Sequence, residues 1–363
     1  MRINMFSPFA PITSGVVTYS EDLAEALERH DVEINRVNRQ FWSSYRLKLP
    51  GIYASGWANR FDWAFTKAVS PFYGLPQGSE RTINHFHVSG GLFNWLVQKH
   101  YDRVKGYRVV TIHDQNFVTS NRHHPYDEAE QLKMLSESDL VIVHTEELKR
   151  RVGFANPNTV VIPHGVYRER FAIDPVEAKH RIGVEGPVVS QIGFMFNHKG
   201  IHDFIKATTR VEATILIVGS GPDEARLRRL ADYLCPGRIL FRPYVADSEF
   251  PYYLAASDIV VFPRIHSQGE CSGVLVQAMA AGKAIVANNI GCFTEYLSHG
   301  RGILTEPENI HHLQSAILSL LQDSAACRQY GQACKDFAQR HLEWDLIADQ
   351  HMTLYKQLAY NQS

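Results

Sequence analysis

Pro263–Lys283 reads PRIHSQGECSGVLVQAMAAGK and follows the apolar run DIVVF at Asp258–Phe262. The order predicted is a buried strand, a short loop holding Gly269 and Gly273, and then a helix. Val274, Leu275, Ala278 and Met279 recur at helical spacing, and Gly282 marks the stop. At the helix mouth the amides of Cys271, Ser272 and Gly273 make the outline of an anion site, which the helix dipole favours. Were the helix to run back to Glu270, that residue and Gln277 would lie nearly on one side, about 10 Å apart along the axis. One would then meet a sugar and the other a ribose. Ser and Gly also begin ordinary capped core helices, so this stretch alone leaves both readings open.

The flanking sequence repeats the same grammar. VVSQIGF (Val188–Phe194) is a strand, followed by a loop with Lys199 and Gly200 and then a helix. TILIVGSGP (Thr214–Pro222), RILFRPYV, SDIVVFP, KAIVANNIG and RGILTEP supply further strands, with helical periodicity between them. Gly219 and Gly221 do not make a dinucleotide fingerprint, because position 224 is Glu and no third glycine follows. The first half alternates likewise. Arg2–Phe6 is a strand, and the loop after it holds Pro8, Pro11 and Gly15 before a helix carrying Tyr19, Leu23, Ala26 and Leu27. INHFHVSGG (Ile83–Gly91) and YRVVTIHDQNF (Tyr107–Phe117) end in His87 and His113, at the carboxyl ends of strands where α/β sheets keep their ligands. His113 reads as a sugar contact or acid/base, or alternatively as a cap on the next helix. Thr145 is placed as an N-cap, TVVIPHGV is a strand, and YRERFAIDP reads as a linker. Two successive runs of strand and helix mean two doubly wound parallel sheets. The segment from Cys327 to Ala359 reads as one long helical pattern, with Trp344, Leu346, Ile347, Leu354, Tyr355 and Leu358 available to pack.

Composition agrees with two domains. The chain has 363 residues, 45% of them apolar, and a formal net charge of −1, which argues against a broad nucleic-acid surface. Five cysteines without a C-x-x-C pair suit a reducing compartment, and no stretch approaches a bilayer span, so a cytoplasmic location is expected. The 18 histidines include the pairs His85/His87, His123/His124 and His311/His312, none in a metal-site pattern, so no metal is expected. Arg36–Tyr73 sets six basic residues and ten aromatics against the single acid Asp62. Three readings fit it: a peripheral contact with the inner membrane surface, an acceptor-binding surface, or a helical insertion whose aromatics are core.

The order of IPHGV, IGFMFNHKG, LIVGSGPDEARL, FRPYV, ASDIVVFPR, GECSGVLVQAMAAGKAIVA and NIGCFTEYLSHGRGIL resembles the GT-B glycosyltransferases of family 4, retaining enzymes that use nucleotide-sugars. The resemblance implies two facing Rossmann-like domains, an acceptor-side domain at 1–167 and a nucleotide-sugar-binding domain at 168–344, with a crossover helix at about 345–363 returning to the first. It implies that Gly15 lets amides approach the donor phosphates, that His113 contacts the sugar, and that Lys199 pairs with the diphosphate. It places the base at Tyr244 and Val245, and the transferred sugar on Glu270 with the amides of Cys271, Ser272 and Gly273. The chain departs from the pattern at Phe194, where an Arg is usual, and at Gln277, where the second Glu of the donor element is usual, one residue short of the usual spacing. The implied reaction moves a sugar from a nucleotide-sugar donor to a carbohydrate or lipid-linked acceptor hydroxyl, with no metal. A catalytically silent scaffold on the same fold, motivated by Phe194 and Gln277, and a nucleotide-sugar epimerase are the rivals.

Overall fold

The computed structural model describes residues 1–7, 15–37, 78–88, 101–114 and 128–360. Almost all of the Arg36–Tyr73 stretch, together with His123 and His124, lies outside the described residues, as do residues 89–100 and 115–127.

The chain divides into two compact units, Met1–Ile162 with Ile347–Ser363, and Pro163–Leu346. Each is built on a six-stranded sheet in which every neighbouring pair is parallel. In the first unit β1 (Arg2–Phe6), β2 (Glu33–Val37), β3 (Ile83–Val88), β4 (Tyr107–Ile112), β5 (Leu140–Val143) and β6 (Thr159–Val161) run in the order β2-β1-β3-β4-β5-β6. In the second, β7 (Val188–Ile192), β8 (Thr214–Val218), β9 (Ile239–Arg242), β10 (Ile259–Phe262), β11 (Ala284–Asn288) and β12 (Ile303–Thr305) run β12-β11-β10-β7-β8-β9. This is the doubly wound order. From β7 the chain steps outward through β8 and β9, then crosses back to lay β10 on the other side of β7.

The physical basis is the one the apolar runs predict. β7, β10 and β11 are buried at every position, because helices cover both faces of a parallel sheet. One layer packs Leu216, Val218, Val260, Leu275, Ala278 and Met279 together, and the opposite layer packs Ile217, Val261, Val286, Phe204 and Ile317. β2 was not foreseen. It is an edge strand, EINRV, exposed or half-buried throughout, and lacks the apolar run that marks its neighbours. Residues expected to be a linker are packed instead: Arg168–Phe171 forms a 3₁₀ turn with Tyr167 and Phe171 buried, and Asp174 caps the helix Pro175–Ile182. The C-terminal pattern is two helices, Ser324–His341 and Trp344–Tyr360. Trp344, Ile347 and Tyr355 are fully buried, whereas Leu346 is 39% exposed. Tyr355 bonds His85 of β3 at 2.7 Å, so the last helix packs with the N-terminal sheet.

Among the described residues no helix is long and apolar enough to cross a membrane, and no three His, Cys, Asp or Glu side chains form a group that could hold a metal ion.

Candidate active site

The switch point of the second sheet lies between β7 and β10, and the loops leaving both strands carry charged residues toward it. After β7 the chain makes a 3₁₀ turn at Asn197–Lys199 and enters the helix Ile201–Ala207 through Gly200. Gly200 has φ +67°, and a Cβ there would lie 1.7 Å from the Pro263 carbonyl oxygen, so only glycine lets the two loops touch. The Ile265 N–H closes the contact by donating to the His198 carbonyl at 3.0 Å. After β10, Arg264 donates from Nη1 to Glu270, and the Glu270 carboxylate also accepts from the Gln268 N–H at 2.7 Å. Lys199, Arg264 and Glu270 thus form one cluster.

The electrostatics are those of a site short of negative charge. Burial, reinforced by the Arg264 charge and only partly opposed by Glu270, lowers the Lys199 ammonium from 10.5 to about 7. Burial works against ionisation of Glu270, but Arg264, the Gln268 amide and Lys199 outweigh it and hold the carboxyl below its usual range. His198 is pushed down to about 4 by burial and by the Lys199 and Arg264 charges, so it adds no charge of its own near neutrality.

The helix Gly273–Ala280 begins three residues after Glu270, and its buried side consists of Leu275, Val276, Ala278, Met279 and Ala280. Glu270 therefore does not continue the helix, and the expected alignment of Glu270 with Gln277 on one helical side does not occur. Ser272, just before the helix, is extended at φ −87° and ψ 111°, so the helix cannot run back through it to Glu270. Gln277 is half-buried within the helix. Gly282 ends it in a left-handed conformation at φ +67°, with its N–H on the Met279 carbonyl and the Lys283 N–H on that of Ala278. Of the three amides expected at the helix mouth, that of Ser272 is not free, because it donates to the Cys292 sulfur. Cys292 also shares a thiol hydrogen bond with Cys271; this bond, the Arg264 charge and the Ser272 amide lower its pKa against burial. Gly273 faces His164: a Cβ there would lie 3.5 Å from Nε2. His164 bonds the Gly165 carbonyl through Nδ1 at 2.8 Å, and burial pushes its pKa down to about 4. It is consequently a neutral ring whose Nε2 is an acceptor.

Tyr244 is 46% exposed, stacks on Phe194 with ring centroids 6.2 Å apart, and donates its N–H to Ser220 Oγ at 3.1 Å. Val245 is half-buried beside them. Phe194, 43% exposed, offers an aromatic face where the resemblance has a cation.

Gly15 and His113 belong to the N-terminal unit. Gly15 opens the helix Gly15–Glu28, and among the described residues a Cβ there would meet nothing within 4 Å. His113 follows β4, and both its ring nitrogens face other histidines, Nε2 toward His87 Nδ1 and Nδ1 toward His144 Nε2, each at 3.3 Å. His144 Nδ1 bonds the Ile162 carbonyl at 2.9 Å. A carbonyl only accepts, so the chain is satisfied by one tautomer set: His144 donates to Ile162, His113 to His144, and His87 to His113. Side chains read singly from sequence gave no sign of this relay, nor of Arg264. For the histidines the usable signal was their recurrence at strand ends that prove to be neighbours.

Two parallel-sheet units of this topology are those of the GT-B fold, and solved structures share them. Sucrose-phosphate synthase from Thermosynechococcus elongatus superposes with a TM-score of 0.73 at 19% identity, covering 98% of each chain. Anabaena HepE in complex with UDP-glucose does so with a TM-score of 0.73 at 17% identity, over 99% of this chain and 100% of that one. The family model described as glycosyl transferases group 1 matches residues 165–337, a stretch that includes Lys199, Arg264 and Glu270. Curated relatives include a GDP-mannose-dependent α-(1-6)-phosphatidylinositol monomannoside mannosyltransferase of Mycobacterium tuberculosis, 28% identical over 204 residues, 52% of this chain and 53% of the relative. Phosphatidyl-myo-inositol mannosyltransferase of Mycolicibacterium smegmatis is 30% identical over 210 residues, 56% of this chain and 53% of the relative. The chain thus spans about half the length of the curated relatives it matches.

Proposed function

We propose that the protein is a retaining glycosyltransferase of the family 4 type, moving a hexose from a nucleoside-diphosphate sugar to an acceptor hydroxyl. The observation that carries this reading is the meeting of Lys199 and Glu270 at the switch point of the sheet, inside the domain that matches the group 1 glycosyl transferases.

In this reading the donor diphosphate lies on Lys199 and on the free amides at the start of the helix Gly273–Ala280. Negative charge on the leaving phosphate is greater in the transition state than in the bound donor, so a half-buried ammonium beside it lowers the barrier selectively. Glu270, held ionised and oriented by Arg264 and the Gln268 amide, accepts hydrogen bonds from the sugar hydroxyls. The acceptor oxygen forms its bond to the anomeric carbon as the bond to the diphosphate breaks, and the departing phosphate oxygen takes the acceptor proton. No side chain is assigned as a covalent nucleophile. Tyr244, Val245 and Phe194 are the base-side contacts, Gln277 the ribose contact through neutral hydrogen bonds, and Gly15 and His113 the contacts from the N-terminal unit to phosphates and sugar. Lys199 and the helix start supply the charge that a divalent cation supplies elsewhere, so the reaction is proposed to proceed without metal and to survive EDTA.

The mannosyltransferase names of the relatives favour a hexose donor and a glycolipid or glycan acceptor, with synthesis of such glycans as the setting. Peripheral attachment to an anionic membrane through 36–73 belongs to the same proposal. Purified protein is tested with UDP-, GDP- and ADP-sugars for transfer to candidate acceptors and for slow hydrolysis. Turnover that Lys199→Ala abolishes supports the reading and removes the silent-scaffold alternative. Absence of turnover with every donor, together with an inert Lys199→Ala, sinks it.

A further inference from the structure

Arg264 is 3% exposed, two residues beyond β10, and its backbone is fixed on every side. The Ile265 N–H is bonded to His198, the Pro263 carbonyl is pressed against Gly200, and the Asn288 side-chain amide donates to the Arg264 carbonyl at 3.0 Å. Asn288 is in turn held by the Thr305 hydroxyl at 2.8 Å. Three segments therefore cooperate to deliver a guanidinium beside the Lys199 turn.

That guanidinium is underused. Of the five N–H donors an arginine offers, the fork spends one group on Glu270, and its buried Nε has no hydrogen-bond partner among the described residues. With Lys199 protonated, two cations face the single carboxylate of Glu270. A buried donor left unpaired costs about 1–3 kcal/mol, and a buried cation in excess of its partners costs more. A fold that binds Arg264 in place from three sides, yet leaves it in surplus, is pre-arranged for an anion. The ligand that answers a planar fork beside an ammonium is one with several oxygens and more than one negative charge.

We propose that Arg264 is a second phosphate-binding cation of the donor site, shared between Glu270 and the donor diphosphate, with Lys199 as the first. The inference rests on reading this cluster as a nucleotide-sugar site. In it Arg264 links the two halves of the donor: one edge of the guanidinium orients the carboxylate that holds the sugar, and the remaining N–H groups take a phosphate oxygen. An arginine next to proline in a loop thereby does work that the position of Phe194 does not.

The test uses the full chain and isothermal titration with UDP, GDP, ADP, the matching nucleosides and inorganic pyrophosphate. These probes carry no sugar, so the sugar role of Glu270 does not enter. Arg264→Met is expected to weaken whichever diphosphate binds the wild type by about ten- to a hundredfold, as for a charge-assisted hydrogen bond, and to leave nucleoside binding unchanged. Arg264→Lys is expected to fall between the two. Because Arg264→Met strands the half-buried Glu270 carboxylate and so lowers stability by itself, the double variant Arg264→Met/Glu270→Gln is measured against Glu270→Gln. A loss of similar size in that pair supports the proposal. Equal affinity in that pair makes Arg264 a counter-ion of Glu270 alone and overturns it. Failure of the wild type to bind any of the diphosphates removes the nucleotide-sugar reading itself, and this inference with it.

Discussion

Lys199 offers the sharpest prediction, because burial and the Arg264 charge bring its pKa to about 7. Below pH 7 the ammonium is already formed and a diphosphate binds it directly. Above that, each binding event must first take a proton from water. If the bound anion returns Lys199 toward its ordinary 10.5, affinity falls up to tenfold per pH unit above 7, about 1.4 kcal/mol for each unit. Between pH 6 and pH 9 the dissociation constant of a nucleoside diphosphate should then rise by roughly a hundredfold. The phosphate's own ionisation acts in the opposite direction, so the quantity to measure is the ratio of wild type to Lys199→Arg, whose guanidinium stays charged throughout. Calorimetry in buffers of different ionisation enthalpy would in addition show the proton taken up near pH 8. Parallel affinity profiles for wild type and Lys199→Arg, with no proton uptake, would refute the reasoning. The same shift sets stability. The unfolded chain binds the Lys199 proton between about pH 7 and 10.5 while the folded chain has lost it, so the penalty for burying this charge is complete below pH 7 and disappears as pH rises through that window. Lys199→Met should accordingly raise the melting temperature at pH 6 and change it little at pH 10.

Further outcomes follow from the same geometry. Gly165→Ala would put its Cβ about 2.3–2.6 Å from the buried Trp344 ring, a clash expected to cost 1 kcal/mol or more by chemical denaturation, whereas a nearby exposed change such as Val176→Ala should cost little. Glu270→Gln should lower turnover by at least tenfold while leaving nucleoside diphosphate affinity intact or tighter, since a competitor for Lys199 and Arg264 has been neutralised; a parallel loss of diphosphate binding would place Glu270 on the phosphates instead. Turnover should be unchanged in EDTA, and dependence on an added divalent cation would revise the charge assignment. Sedimentation with anionic vesicles, weakened by salt, is expected if the basic and aromatic stretch 36–73 seats a membrane surface, and its absence would remove that contact.

The central architecture was legible because parallel strands buried on both faces must be apolar along their length, as β7, β10 and β11 are. That Lys199 and Glu270 sit in loops after such strands was legible from the sequence, while the roles proposed for them come from the resemblance. β2 escaped because an edge strand with half-exposed side chains has no such run. Arg264 escaped for a different reason. An arginine after proline in a loop reads as surface, and its burial arises from contacts with Gly200, His198 and Asn288, which lie 64, 66 and 24 positions away along the chain and meet it only once the sheet has formed. The histidine relay has the same character: His87, His113 and His144 are brought together by the register of β3, β4 and β5. The reading that placed Glu270 and Gln277 on one side of a helix failed because spacing along the chain predicts a shared side only where the helix includes both residues, and here it starts at Gly273.

The most direct test of the account is ligand-observed NMR with UDP-, GDP- and ADP-sugars against wild type and Lys199→Ala. The account predicts that at least one donor binds the wild type, with contacts to both base and sugar protons, and that Lys199→Ala loses it. No binding by any donor, or equal binding to the two proteins, would contradict the claim that the cluster at the β7–β10 switch point is a donor diphosphate site.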